Sequence, residues 1–94
     1  MKHLNIIVEG KVQGVFFRAA TKAVADQLSV KGFVKNQADG SVYIEAEGDD
    51  FSLETLIEWC NKGPERAVVE KVTASEAELK NYRNFEVVKK NLLW

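Results

Sequence analysis

Apolar and polar residues alternate along several short stretches of the chain, with the period of two that places successive side chains on opposite faces of a β-strand. The pattern predicts five strands, over residues 3–9, 33–37, 41–47, 68–74 and 85–89. In the fourth of these, Val68, Glu70 and Val72 are expected to share one face. The dipeptide Asp39-Gly40 separates the second and third strands and is typical of a tight hairpin turn.

Two other stretches carry apolar residues at the spacing of an amphipathic helix. The first predicted helix covers residues 17–29, and its polar side includes Thr21. Its predicted apolar face consists of Phe16, Ala20, Ala23, Val24 and Leu28. The second helix begins after an acidic pair that can cap it and ends at a glycine-proline pair. We expect Cys60 to be a core thiol, because it lies on the apolar face of this second helix.

The predicted order of elements is strand, helix, strand, strand, helix, strand, followed by a short C-terminal strand. This βαββαβ order is that of the ferredoxin-like α+β sandwich, an antiparallel sheet with two helices on one face. Right-handed crossovers then give the spatial strand order fourth, first, third, second. A chain of 94 residues has room for a single domain over residues 1–94. The pattern leaves open whether the apolar residues 92–94 dock on this domain or fray.

The charge balance argues against a partner that binds the protein mainly through long-range electrostatic attraction. Thirteen basic and fourteen acidic residues give a net charge of −1, so no global positive field would draw in nucleic acid or a membrane surface. The single cysteine cannot form an internal disulfide, and the single histidine, His3, cannot build a metal cluster by itself. The N-terminal stretch also lacks the apolar core of a signal peptide. We therefore expect a metal-free, cytoplasmic protein with His3 at the surface or partly packed.

Residues 10–18, with the sequence GKVQGVFFR, lie between the first predicted strand and the first predicted helix. Gly10 and Gly14 allow a tight turn and a close approach to a ligand, since neither carries a Cβ. The start of a helix offers N–H groups and the positive end of the helix dipole, and Arg18 adds a full charge there. The segment is therefore suited to bind an anion, although an ordinary strand-to-helix turn with a solvent-exposed arginine is the alternative.

The predicted topology brings a second polar group towards this segment. The first and second strands run parallel with the third between them, so their carboxyl ends lie at the same edge of the sheet. Asn36 ends the second strand, two strand spacings or about 9 to 10 Å from the end of the first. An arginine, several backbone amides and a carboxamide are therefore expected to converge on one small ligand.

Five segments of the chain resemble the acylphosphatase family. The matching segments are GKVQGVFFR at residues 10–18, GFVKN at 32–36, DGSV at 39–42, AEG at 46–48, and Gly-Pro at 63–64 after a helix that bears a tryptophan. The resemblance extends over about residues 6–87. Two positions depart from the family pattern: Phe33 stands where tryptophan is common, and Gln37 stands where a threonine often follows the asparagine.

The resemblance implies an enzyme that hydrolyses the carboxyl-phosphate bond of small acyl phosphates without a metal or another cofactor. In that family, the arginine that matches Arg18 binds the phosphoryl group, and the asparagine that matches Asn36 positions the attacking water. The implied phosphate cradle consists of the backbone amides of Gln13, Gly14, Val15, Phe16 and Phe17. The implied partner is a small-molecule acyl phosphate, and we expect a monomer that binds neither nucleic acid nor a membrane.

Two other functions are compatible with parts of the sequence. Ferredoxin-like sheets can stack nucleic-acid bases on aromatic side chains of their open face, where Phe33 and Tyr43 are candidates. The near-neutral charge, and the lack of an aromatic RNA-binding signature on the first and third strands, argue against this alternative. A non-catalytic anion sensor or interaction domain would use the same cradle as the enzyme, and the sequence leaves that alternative open.

Overall fold

The computed structural model describes residues 1–89. These residues form five strands and two helices in the predicted order. The strands are β1 (Lys2–Lys11), β2 (Lys31–Asn36), β3 (Val42–Gly48), β4 (Val68–Ala77) and β5 (Phe85–Val88), and the helices are α1 (Phe17–Gln27) and α2 (Asp50–Lys62). In this described part of the chain, neither helix has the length and apolarity needed to cross a membrane. Residues 92–94, whose docking the sequence leaves open, lie outside the described residues.

The five strands form one sheet in the order β4-β1-β3-β2-β5. The predicted order of the first four strands is confirmed, and all of their pairings are antiparallel. The sequence pattern does not place β5, which pairs in parallel with β2 and makes the sheet mixed. In this pairing Lys35, near the end of β2, lies opposite Val88, at the end of β5. The two strands therefore reach the same edge of the sheet together.

Both helices pack on one face of the sheet, as predicted, and the core lies between the helices and the strands. Ile6 of β1 and Ile44 of β3 lie opposite each other and are fully buried in this core. From α2 the core receives Leu53, Leu56 and Cys60, so the expectation of a core thiol is confirmed. Burial raises the pKa of this thiol to about 12. Each fully buried aliphatic side chain stabilises the fold by about 1.5–3 kcal/mol.

The first helix buries a different face from the predicted one. The periodicity puts Phe16 on the buried side and Thr21 on the polar side, and both assignments are wrong. Phe16 precedes the helix and has a left-handed backbone conformation with φ 63°, so the helical periodicity begins only at the next residue. The buried residues of α1 are Phe17, Thr21 and Ala25. The Thr21 hydroxyl is satisfied inside the core, because it donates to the carbonyl oxygen of Phe17 at 2.8 Å.

A β-bulge changes which side chains of β4 face the core. The register between β1 and β4 shifts between Glu9 and Gly10. Val69 and Val72 consequently pack against the core, whereas Val68 is exposed, so the regular alternation predicted for this strand is wrong. Gly10 allows the two backbones to approach here, because its φ is 128° and a Cβ would lie 2.2 Å from the carbonyl oxygen of Val68.

A buried polar network lies on the sheet face opposite the helices. His3 belongs to it and is fully buried, so the prediction of a surface or partly packed residue is wrong. The Nδ1 of His3 donates to Glu47 at 2.7 Å, and its Nε2 lies 2.7 Å from the side-chain oxygen of Asn5. Glu45 and Glu47 are buried as well. The burial arises because the connection between β4 and β5, distant in sequence, lies against these side chains.

Two carboxylates fix this connection, residues 78–84, to the sheet. The backbone N–H groups of Lys80 and Tyr82 donate to the carboxylate of Glu47, at 2.6 and 3.2 Å. The ammonium group of Lys80 and the hydroxyl group of Tyr82 donate to Glu45. Hydrogen bonds to charged groups contribute about 1.5–3 kcal/mol each, more than bonds between neutral groups. The network therefore determines the path by which the chain enters β5.

We predict that the ionised carboxyl group of Glu45 stabilises the fold at neutral pH. Burial opposes its ionisation, but hydrogen bonds from two tyrosines and Lys80 outweigh that effect and lower the pKa of Glu45 from 4.5 to about 2. A carboxyl group whose pKa is lowered by folding adds stability above its unfolded pKa, and this stability is lost as the pH falls towards the folded pKa. The loss should therefore occur as the pH falls from about 4.5 towards 2.

The substitution Glu45→Gln tests this prediction. It should lower the free energy of unfolding by about 1–3 kcal/mol at neutral pH and should flatten the loss of stability in acid, as measured by urea unfolding at a series of pH values. Glu58→Gln is the control, because Glu58 is exposed on α2. Equal pH dependence in the wild type and in Glu45→Gln would contradict the role assigned to this carboxylate.

Candidate active site

The connection between β1 and α1 turns at the predicted glycine segment. Gly14 and Phe16 both have positive φ, of 74° and 63°. Phe16 is the N-terminal cap residue of α1, but its side chain makes no capping hydrogen bond. The backbone N–H groups of Gly14, Val15 and Phe16 donate to no acceptor within residues 1–89. The segment therefore presents N–H groups beside the positive end of the helix dipole.

Apolar side chains anchor this segment in the core. Val12, Val15 and Phe17 are each almost completely buried, and the residues between them are more exposed. The ring of Phe17 packs against the ring of Trp59 on α2, with their centroids 5.3 Å apart. Since residues 12, 15 and 17 are all held by the core, the backbone between them is constrained at three points, which is what a preorganised binding loop requires.

The side chain of Gln13 fastens the segment to the β2–β3 hairpin. Its Nε2 donates to the carbonyl oxygens of Gln37 and Ser41, at 2.7 and 2.9 Å. Within the hairpin, Asp39 accepts hydrogen bonds from the backbone N–H and the hydroxyl group of Ser41, at 2.9 and 2.6 Å. Because Asn36 is the last residue of β2, directly before the turn of this hairpin, the Gln13 bonds tie the glycine segment to the element that carries Asn36.

Arg18, the second residue of α1, is half-buried and is held in place by β5. Its Nη1 donates to the carbonyl oxygen of Val88 at 2.9 Å. Val88 pairs with Lys35, the residue before Asn36 on β2. A guanidinium group carries five N–H donors in a planar fork, so a single bond to a carbonyl orients it and leaves further donors for a ligand.

Arg18 and Asn36 line the same cavity, which has a volume of about 350 Å³. Most of its other walls are apolar and come from Val12, Phe16, Phe17, Ala19 and Val87. Arg18 and Asn36 also line a second cavity of about 300 Å³, with the polar side chains of Gln13 and Gln37. The two residues therefore stand between an apolar and a polar compartment at one edge of the sheet.

The charge of these cavities is suited to an anion. In the described part of the chain, the charged residues that line them are Arg18 and Lys89, both cations. Guanidinium and backbone N–H groups are good donors to phosphate oxygens, and the guanidinium fork matches two of them at once. No three His, Cys, Asp or Glu side chains among residues 1–89 are arranged to hold a metal ion.

Five of the seven predicted site residues line the first cavity, namely Gly14, Phe16, Phe17, Arg18 and Asn36. Gln13 lines the second cavity, and the side chain of Val15 lies in the core. Sequence reasoning missed Val88 and Lys89. Val88 acts through its backbone carbonyl, which leaves no side-chain pattern to find. The parallel pairing of β2 and β5 puts Val88 opposite Lys35, next to Asn36, so a prediction of this pairing would have brought the end of β5 to this edge of the sheet.

The two departures from the family pattern lie in different places. Phe33 packs against Tyr43 and Tyr82 on the open face of the sheet, with centroid distances of 5.9 Å, and lines neither cavity. Gln37 lines the second cavity and donates to the hydroxyl oxygen of Ser41 at 2.9 Å. Since Tyr43 and Tyr82 both donate to the buried carboxylate of Glu45, these aromatic side chains are poorly placed to stack anionic nucleic acid.

Comparisons with known proteins give a consistent result. The family model for acylphosphatase matches residues 4–87. An acylphosphatase of Marinobacter nauticus is 51% identical over 72 residues, which cover 77% of this chain and 78% of that protein. One from Archaeoglobus fulgidus is 46% identical over 84 residues, which cover 89% of this chain and 94% of that protein. The crystal structure of acylphosphatase from Bacillus subtilis superposes with a TM-score of 0.91 at 36% identity, covering 94% of this chain and 99% of that one.

We predict that the Gln13 side chain stabilises the junction between the glycine segment and the hairpin. Gln13→Met keeps a similar length but cannot donate to the two carbonyl oxygens, so it should lower the free energy of unfolding by about 1–2 kcal/mol in urea. Gln27→Met is the control, because Gln27 is exposed at the end of α1, and its effect should stay within about 0.5 kcal/mol. An equal effect of both substitutions would show that the Gln13 bonds add no stability.

Proposed function

The chain belongs to the acylphosphatase family. We propose that it hydrolyses acyl phosphates to a carboxylate and inorganic phosphate, and that its site residues have the following roles. Arg18 and the backbone amides of residues 13–17 bind the phosphoryl group, while Asn36 orients the attacking water. The observation that carries this proposal is the shared cavity of Arg18 and Asn36, to which different elements contribute the two side chains.

Arg18 supplies the positive charge of the proposed site. Its bond to the Val88 carbonyl holds the guanidinium at the cavity wall before any ligand binds, so little reorganisation is needed on binding. A phosphoryl group in transfer spreads its negative charge over three equatorial oxygens. The remaining guanidinium donors can contact two of these oxygens, which would stabilise the transition state as well as the bound substrate.

The backbone amides supply the second part of the phosphate site. The N–H groups of Gly14, Val15 and Phe16, just before α1, donate to no backbone acceptor within residues 1–89, and the buried side chains of Val12, Val15 and Phe17 hold the segment to the core. Amides held in this way stabilise an oxyanion without the cost of reorienting solvent. They also have no pKa near neutral pH, so this part of the site adds no titrating group of the protein to the pH dependence of binding.

Asn36 is proposed to orient the water. Its carboxamide combines a donor with an acceptor, so it can hold a water molecule in line with the bond that breaks. The carboxylate that leaves an acyl phosphate is a good leaving group, which reduces the need for a general acid. This agrees with a cavity whose charged lining residues, in the described part of the chain, are cations. In phosphoryl transfer of this kind, positioning and charge stabilisation supply most of the catalysis.

A non-catalytic anion sensor is the alternative that uses the same residues. It would bind phosphate through Arg18 and the amides but would not release phosphate from an acyl phosphate. The membership in a family of hydrolases favours the enzyme. The cytoplasmic location and the monomeric state expected from the sequence stay predictions.

We predict that both Arg18→Gln and Asn36→Ala lower kcat/KM for a simple acyl phosphate, by about 10²- to 10³-fold each, because each substitution removes one preorganised interaction of the transition state. Release of inorganic phosphate, measured with a chelator present, gives the rates. Inhibition by added inorganic phosphate should weaken chiefly in Arg18→Gln, since Asn36 acts on the water.

Matched controls exist on the surface of the same molecule. Arg66 and Asn61 are both exposed and line neither of the two cavities, so Arg66→Gln and Asn61→Ala should leave the rate unchanged. Full activity in either Arg18→Gln or Asn36→Ala would refute the proposed roles. Phosphate binding by the wild type without any turnover would favour the anion sensor.

A further inference from the structure

Phe16 is a large apolar residue that the fold itself does not use. Its side chain is 77% exposed, whereas its neighbours Val15 and Phe17 are 5% and 2% exposed. It caps α1 without a capping hydrogen bond. The side chain therefore adds neither core packing nor helix capping within the described residues.

The backbone of Phe16 is also in an unfavourable conformation for this residue type. With φ 63° and ψ 25°, it lies in the left-handed region, which glycine and asparagine adopt far more readily than a bulky side chain. Glycine would give the loop the same path with less strain. Strained residues cluster at ligand sites. The strain at Phe16 therefore indicates that its ring has a functional role, since the ring does not stabilise the fold.

Phe16 is one of the residues that line the cavity containing Arg18 and Asn36. Ala19 and Val87 add apolar surface to this lining. A cavity of about 350 Å³ lies within the range of roughly 300–1,000 Å³ that small-molecule pockets occupy, and it is larger than a phosphoryl group alone would need. The apolar compartment therefore has room for a further part of the substrate.

We propose that Phe16 is a specificity-determining residue that contacts the acyl group of the substrate and favours flat, apolar acyl groups over acetyl. This inference rests on the proposed function of the site. The amide of Phe16 belongs to the proposed phosphate cradle, and in an acyl phosphate only the carbonyl group separates the phosphate from the acyl substituent. A substituent on that carbonyl consequently lies within reach of the Phe16 ring.

The preference follows from the chemistry of the two rings. An aromatic acyl group can stack on Phe16 or meet its edge, and such aromatic pairs gain about 0.5–1.5 kcal/mol beyond the burial of apolar area. An acetyl group offers only one methyl group to the same surface. Because water attacks the phosphorus atom and the acyl group departs as a carboxylate, the Phe16 contact lies away from the reacting bond and would favour the aromatic substrate equally in the ground state and the transition state.

The test compares benzoyl phosphate with acetyl phosphate. The quantity measured is the ratio of kcat/KM for the two substrates, in the wild type, Phe16→Asn, Phe16→Tyr and Phe51→Asn. Asparagine tolerates the left-handed conformation but removes the ring, whereas tyrosine retains it. Phe51 is the matched control, because it is 76% exposed on α2 and lines neither of the two cavities.

We expect the benzoyl-to-acetyl ratio to fall about 3- to 10-fold in Phe16→Asn, mainly through KM for benzoyl phosphate, and to stay within about twofold of the wild type in Phe16→Tyr and Phe51→Asn. An unchanged ratio in Phe16→Asn would overturn the inference. An equal fall in Phe51→Asn would overturn it too, since the effect would then not arise in the cavity.

A second measurement does not depend on turnover. Benzoylphosphonate and acetylphosphonate have no bridging oxygen to hydrolyse, so their dissociation constants report binding alone. The ratio of their affinities should fall in Phe16→Asn by the same factor, and a constant ratio would overturn the inference even if that variant were inactive. If the wild type binds both phosphonates with the expected preference but hydrolyses neither acyl phosphate, the proposed function fails while the apolar subsite stands.

Discussion

The antiparallel pairing of β3 with both β1 and β2 is the constraint on which the rest of the molecule depends. Because β3 lies between these two strands and runs against both, they are parallel to each other and end at the same edge of the sheet. The register is fixed by burial, since a shift of one residue would move Ile44 and its neighbours from the core to the open face. The glycine segment after β1 and Asn36 at the end of β2 are neighbours for this reason.

Three connections convert this proximity into a defined cavity. The Gln13 side chain fastens the glycine segment to the hairpin that follows β2. Buried valines and Phe17 hold the segment to the core. The carbonyl of Val88 orients the Arg18 guanidinium, and β5 reaches that position because the connection before it is fixed to buried carboxylates on the far side of the sheet. A network that is remote from the cavity thus contributes to the path of the strand that holds Arg18.

The sequence predicts the features that local patterns encode. Alternation, a hairpin turn and helix boundaries are sufficient for the order of elements, and topology then places Arg18 and Asn36 at one edge. The burial of His3 was not predictable in this way, because it depends on a connection almost eighty residues later in the chain. Likewise, one bulge reverses the inward face of β4, and the left-handed conformation of Phe16 shifts the buried face of α1. The role of Val88 could not be predicted from the sequence, since any residue at this position would supply the backbone carbonyl that Arg18 contacts.

The central claim is that the glycine segment, Arg18 and Asn36 form one phosphate site. The most direct measurement is a titration of the isotopically labelled protein with inorganic phosphate, followed by the NMR signals of backbone amides and of arginine and asparagine side chains. We predict that the largest shifts occur at the amides of residues 13–18 and at the side chains of Arg18 and Asn36, with a common dissociation constant. Shifts centred on the open face around Tyr43 and Tyr82, or no shift in the glycine segment at saturating phosphate, would contradict the account.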